Sequence, residues 1–252
     1  MIINTDINIL GSLPDLELIR TYYFETKTDN LGHNANSSYT KIKTERSVKR
    51  FGRAIKRTLF TFKNDNVKWL ISNILENDTK PDDFHLMLFW NASFNNQLIN
   101  YLNTQVYFPA YYSGRLVLKT DEVFACLMEL KIKSAGLQKW SDKTIETVAS
   151  KYLTFLRKHN LLEGSLIKKI KHPYLSDLSF INYFYWIIAI EPKSNILDSN
   201  WLIYSFTEKD VLIERLLQKK YTKFIDLTYT GDKLTLIPIV DYKNLYDAIT
   251  RP

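Results

Sequence analysis

A chain of 252 residues has room for one large domain or two small ones and for a sizeable buried core. Hydrophobic residues at 45% and aromatics at 14%, including 16 Tyr and 14 Phe, exclude disorder over most of it. A single cysteine, Cys126, excludes an intrachain disulfide, and a net charge of +7 directs attention to anionic partners.

Residues 1–12 read as an irregular arm; they lack a basic start and carry Asp6, so no signal peptide is expected and the protein is placed in the cytoplasm. Leu13–Lys27 reads as a helix with Pro14 in its first turn, and Thr28–Thr40 as a polar loop leading into a basic helix near residues 46–57. Asp65–Glu76 is a short helix stopped by NDTKP, and Pro81–Tyr107 reads as one or two helices whose first half Leu86, Leu88, Phe89 and Trp90 make largely buried. Pro109–Gly114 is expected to break the pattern before a short strand at Leu116–Leu118. Thr120 is expected to cap a helix reaching about Ser134, in which Cys126 is a buried structural thiol with no nearby histidine to activate it.

After the turn SAGLQKW, Ser141 caps a helix over Asp142–Asn160, and Leu161–Lys171 reads as a short hairpin turning at Glu163-Gly164. Ser176 caps an apolar helix to Ile190. Its run Phe180–Ile190 falls short of the roughly 20 residues a bilayer requires, so no membrane partner is expected. Residues 191–206 read as linker, with extended structure around Trp201–Phe206, and Thr207 as the cap of a helix over Glu208–Lys220. The alternating FIDLTYTGDKLTLIPI around Gly231-Asp232 is a β-hairpin, and Tyr242–Ile249 a last short helix. The fold class is mainly α: a helical bundle with a winged-helix-like segment and a small C-terminal β-hairpin. The expected regions are 1–115, 116–190 and 191–252.

The charge is concentrated. Residues 41–57, KIKTERSVKRFGRAIKR, hold eight of the 34 Lys and Arg and one of the 27 Asp and Glu, so the rest of the chain balances at 26 of each sign. At about 100° per residue, Arg46, Arg50, Arg53 and Arg57 share one stripe, with Lys49 and Lys56 at its edge. Val48, Phe51, Ile55 and Leu59 fall opposite. Like charges at i,i+4 repel by a few tenths of a kcal/mol per pair, so folding gains nothing from the stripe. Arginine's planar fork suits phosphate. Three readings stand: a nucleic-acid surface, a solvated face with no partner, and a membrane-surface helix, the last disfavoured because the apolar side carries no Trp.

Residues 120–170 run helix, turn, helix, basic hairpin, the order of a winged helix-turn-helix. On the second helix Ile145, Val148, Ala149, Tyr152 and Leu156 share a face, and Lys143, Thr147 and Lys151 lie among the residues opposite. Ser141, Lys143, Thr144 and Thr147 are placed to meet base edges, and Lys168, Lys169 and Lys171 to meet phosphate. A purely scaffolding helix would carry a polar face as well, so both roles stay open.

Catalytic signatures are missing. No two of the seven glycines lie within nineteen residues of each other, so a phosphate-cradling loop cannot be built. His33, His85, His159 and His172 have no metal-ligand spacing. Two faint nuclease echoes are Asp121…Glu129-Leu130-Lys131, where helical geometry turns Glu129 and Lys131 about 200° apart, and Glu191-Pro192-Lys193. No catalytic residue and no cofactor or metal is expected, and the protein is not expected to be an enzyme.

The stretches TERSVKRFGRAIKRTL, HLMLFWNASFNNQLINYL and KTDEVFACLMEL…WSDKTIETVASKYLTFLRKHNLLEG, in that order, resemble the BrxA family of BREX bacteriophage-defence systems. Trp90 matches that family's Leu/Trp-rich helix, and Thr144, Leu156, Arg157, Asn160, Leu161 and Leu162 its following helix. The resemblance covers roughly residues 13–190. It implies a helical protein of winged-helix character, similar to NusB-like bundles. It further implies binding to double-stranded DNA without catalysis, alongside other BREX proteins. An RNA-binding role and a protein-interaction scaffold remain as alternatives.

Overall fold

The computed structural model describes residues 19, 20, 22–24, 45–77 and 79–251, with the backbone alone for 45–48. In chain order the elements are α1 (Glu45–Thr58), α2 (Asp65–Glu76), α3 (Pro81–Asn95), α4 (Gln97–Leu102), a π-helical turn (Asn103–Tyr107) and α5 (Phe108–Tyr112). They continue with α6 (Thr120–Lys133), α7 (Ala135–Gln138), α8 (Asp142–Lys158), β1 (Leu162–Glu163), β2 (Lys169–Ile170) and α9 (Asp177–Ile190). The last are α10 (Lys209–Leu216), β3 (Ile225–Tyr229), β4 (Leu234–Pro238) and α11 (Leu245–Thr250). The fold is mainly α, and β3–β4 is the small antiparallel hairpin expected near the C-terminus.

Caps explain the boundaries that sequence located well. Asn64 opens α2 by accepting from the Val67 amide at 3.0 Å, Ser141 opens α8 through the Thr144 amide at 3.2 Å, and Ser176 opens α9 through the Ser179 amide at 3.0 Å. Other expectations are corrected. Pro109 does not break the chain: it lies in the first turn of α5, where its missing N–H costs nothing, and helix runs on to Tyr112. Thr120 is the first residue of α6 and not its cap; the Glu122 carboxylate reaches back to the Lys119 amide at 2.9 Å instead. The turn after α6 contains the single helical turn α7. Around Trp201 the backbone is 3-10 helical over Leu202–Ser205, not extended. Residues 1–12 and the loop 28–40 lie outside the described residues, as does most of Leu13–Lys27. Of that last stretch the described residues 19, 20 and 22–24 are helical, as expected.

The chain forms two compact units, Met1–Thr61 with Leu88–His172, and Phe62–Met87 with Pro173–Pro252. The boundaries read from sequence, at 115 and 190, do not coincide with these. Each unit takes two separate stretches, and α3 gives its first half to the second unit and its second half to the first. Local patterns report which face is apolar but not which element covers it.

In the second unit α9 is apolar all round and buried from Phe180 to Ile187, which fits a central helix. It packs against α2 and α11. The Tyr185 hydroxyl donates to the Phe224 carbonyl at 2.6 Å and accepts from the Val240 amide at 3.1 Å, tying the stretches on either side of the β3–β4 hairpin to the helix. At the start of α9, Asp177 accepts from Tyr221 at 2.6 Å, Lys220 at 2.8 Å and Arg215 at 3.2 Å. Burial pushes its carboxyl up, but those hydrogen bonds and the Lys220 charge outweigh it and hold the pKa at about 2.

Candidate nucleic-acid interface

In the first unit α1 is amphipathic as read from sequence. Ala54, Ile55 and Leu59 are fully buried, Phe51 is half-buried, and Lys49, Arg50, Arg53, Lys56 and Arg57 are exposed. The side chains of Arg46 and Val48 lie outside the described residues. Gly52 belongs to the buried side for a steric reason: a Cβ there would stand 3.1 Å from the Tyr22 ring, whose hydroxyl donates to the Gly52 carbonyl at 3.0 Å. The open carbonyls at the end of α1 are closed by α3. Asn91 donates to the Leu59 carbonyl at 2.7 Å, and Asn95 to those of Thr58 at 2.9 Å and Thr61 at 2.8 Å. The cationic helix is therefore fixed to the core at both its middle and its end.

Helices α6 and α8 pack together, with Val123, Leu127 and Leu130 of α6 and Ile145, Val148, Ala149, Tyr152 and Leu156 of α8 all buried. A buried polar chain holds α8 in place: Tyr152 donates to Asn103 Oδ1 at 2.7 Å, Asn103 to Ser93 Oγ at 2.9 Å, and Ser93 to the Phe89 carbonyl at 2.7 Å. Asn103 opens the π-helical turn, which aims its amide into this chain. Beyond α8, β1 pairs with β2, and residues 116–118 pair with β2 on its other side. There the Leu118 amide donates to the Lys168 carbonyl and the Ile170 amide to the Leu116 carbonyl, both at 2.9 Å. The strand read at Leu116–Leu118 is thus one bridge wide.

The expected contact residues fall into three groups. Lys49, Arg50, Arg53, Lys56 and Arg57 stand together on α1. On α8 the first turns are of mixed charge: Lys143 is paired to Glu146 at 2.8 Å, and Asp142 to Lys131 at 3.2 Å. Asp121, Asp142, Lys143 and Glu146 line one cleft there. The Thr147 hydroxyl donates to the Lys143 carbonyl at 2.8 Å, and Lys151 is half-exposed one turn on. In the hairpin Lys169 is exposed, while Lys168 folds back to donate to the carbonyls of Gly164 and Ser165. Burial pulls the Lys168 pKa down, and the Arg157 charge adds to that. Sequence reasoning placed Arg157 on the polar face of α8 without assigning it to the site; only the return of the hairpin brings the two together.

A family model for BrxA matches residues 22–183, more than half of the chain. The chain belongs to the BrxA family. It is thereby a component of BREX phage-defence systems. The match takes in α1 through α8, the β1–β2 hairpin and the first half of α9. It leaves α10, the β3–β4 hairpin and α11 as a stretch beyond the family match. No curated protein matches the chain.

The residues of the first nuclease echo line different clefts. Asp121 lines the cleft at the start of α8, whereas Glu129 lines a different one of about 450 Å³ with Tyr101, Arg115, Glu122 and Cys126. Glu191 accepts from Ser199 at 2.6 Å and pairs with Lys193 at 3.3 Å. Among the described residues no three of His, Cys, Asp or Glu are grouped to hold a metal. Cys126 is half-buried on the wall of its cleft, not fully buried as expected, because its side of α6 faces the hollow beside the π-helical turn. Burial and then Glu129 raise its thiol pKa, the direction that keeps it protonated. Among the described residues no helix is long and apolar enough to cross a membrane.

Proposed function

We propose that this BrxA-family chain is a non-catalytic, cytoplasmic, double-stranded DNA-binding component of its BREX system, with no cofactor and weak or no sequence preference. The observation that carries the reading is α1: five cations exposed on a helix whose other side is locked into the core, with no carboxylate anywhere from residue 46 to 57. Arg46, Lys49, Arg50, Arg53, Lys56 and Arg57 supply the phosphate contacts. Residues 116–170 act as a winged helix. The arrangement α6, α7, α8 and hairpin, with residues 116–118 pairing alongside β2, supports that assignment. Lys151 and Lys169 add phosphate contacts, and Lys168 adds one by leaving the Gly164 and Ser165 carbonyls to which it donates. Lys143 and Thr147 add theirs only by exchanging their present partners, so the acidic neighbours of α8's first turn weigh against base readout there.

Binding of this kind releases counterions, so log K should fall linearly with log salt, by about 0.9 per neutralised phosphate. A duplex DNA, a duplex RNA and an acidic polypeptide of equal charge are titrated in competition over a salt series, with Mg²⁺ or Mn²⁺ present in a parallel incubation. The reading expects DNA to compete best and to remain intact. Preference for RNA would favour an RNA-binding role, and preference for the polypeptide a scaffold. Metal-dependent cleavage lost on Glu129→Ala or Glu191→Ala would overturn the non-catalytic assignment.

A further inference from the structure

The loop between β1 and β2 ends in an apolar tip. Leu166 is 95% exposed, more than any other large hydrophobic side chain among the described residues, and Ile167 beside it is 62% exposed. Water is a poor neighbour for such a pair, and no packing among the described residues covers it.

The tip is held out on a tight loop. Gly164 has φ +86, the left-handed region, and a Cβ there would lie 2.2 Å from the Ile167 carbonyl oxygen, so the two sides of the loop touch. Lys168 bridges the same turn through its bonds to the carbonyls of Gly164 and Ser165. The hairpin is cationic: residues 161–171 hold Lys168, Lys169 and Lys171 against one carboxylate, Glu163, and the Arg157 charge acts on Lys168. An apolar tip on a cationic hairpin suits a polyanion with an apolar interior better than it suits a neutral protein groove. Stacked base pairs between two phosphate strands are such a target.

We infer that Leu166, with Ile167 beside it, is a wedge that enters the minor groove of double-stranded DNA, partly unstacks one base step and bends the duplex. Leucine and isoleucine are among the side chains that do this in minor-groove proteins, with bends of about 20–90°. Flexible pyrimidine–purine steps are the easiest to open, so the wedge brings a preference for deformable sequence without hydrogen bonds to base edges. The inference rests on the DNA-binding reading above, and the lysines behind the tip would clamp the phosphates on either side of the opened step.

The test uses the full chain and a duplex of about 20 base pairs, roughly 68 Å long at 3.4 Å per step. The duplex carries a donor dye at one end and an acceptor at the other, with anisotropy followed in parallel. Wild type is expected to raise energy transfer as it saturates the duplex. L166S/I167S, altered only at exposed positions, should bind with less than a tenfold loss and an unchanged salt slope, yet leave transfer at the value of free DNA. Leu166→Met should keep the bend. Saturation by wild type without a change in transfer overturns the wedge and leaves DNA binding standing, as does bending by L166S/I167S equal to wild type. Absence of any binding by wild type overturns both the wedge and the DNA-binding reading.

Discussion

Tyr152 places its hydroxyl at the buried head of the Tyr152–Asn103–Ser93 chain, where phenylalanine fits the same space without the donor. Tyr152→Phe should therefore cost about 1 kcal/mol, the net worth of one internal hydrogen bond, read as a shift in urea midpoint; an unchanged midpoint would mean the chain is not structural. Gly164→Ala should cost roughly 1–3 kcal/mol in the same measurement, since the left-handed backbone and the Ile167 carbonyl both oppose a Cβ. Asp177 sets an acid dependence. Its pKa is held at about 2 in the folded chain, below the ordinary 3.8, so its contribution is complete above pH 3.8 and fades as acid approaches 2. The side chain is half-exposed, and with solvent screening discounted the contribution is about 1 kcal/mol. Thermal unfolding of wild type and Asp177→Asn should therefore differ at neutral pH and converge near pH 2; a constant difference across that range would contradict the assignment. The turn at Gly164 was legible beforehand because its partner Ile167 is local, whereas the roles of Tyr152 and Asp177 were not, because each depends on a partner far away in sequence.

At the scale of elements, what was legible is what is local. The bounds of α2, the starts of α8 and α9 and the turn of the β3–β4 hairpin follow from Asn64, Ser141, Ser176 and Gly231-Asp232, whose chemistry acts within three residues. The cationic stripe of α1 was legible for the same reason, as a periodicity within one helix. The run from Pro109 misled because proline alone does not distinguish a helix start from a break, and the π-helical turn that delivers the chain to α5 has no sequence signature. The pairing of Lys143 with Glu146, which discounts the first turn of α8 as a reading head, needs rotamers that periodicity does not supply. Because the α1 stripe is mutually repulsive, R50Q/R53Q should leave the fold as stable as wild type, or more stable by a few tenths of a kcal/mol, while weakening DNA binding. Circular dichroism melting and anisotropy check the two halves; a destabilised variant would mean these cations serve the fold.

At the scale of the whole molecule, the interleaved construction of the two units governs how the chain can be cut. A fragment ending at residue 190, the boundary that sequence patterns suggest, keeps α9 but removes Phe224, Val240, Tyr221 and Tyr242, which cover it. That fragment should expose the apolar faces of α9, bind a hydrophobic dye and aggregate where the full chain stays monodisperse. A well-folded fragment 1–190 would show that the C-terminal stretch is dispensable for the fold. The central claim is that α1 is a phosphate-binding surface. Its most direct test is a salt titration of binding to a labelled duplex of about 30 base pairs by wild type and by R46E/R50E/R53E/R57E. The account predicts a steep salt slope for wild type, with contributions of about 0.9 per phosphate, and its loss in a variant that keeps its helical circular dichroism. Equal binding and equal slopes for the two proteins would contradict it, and would assign the cations of α1 to another partner or to none.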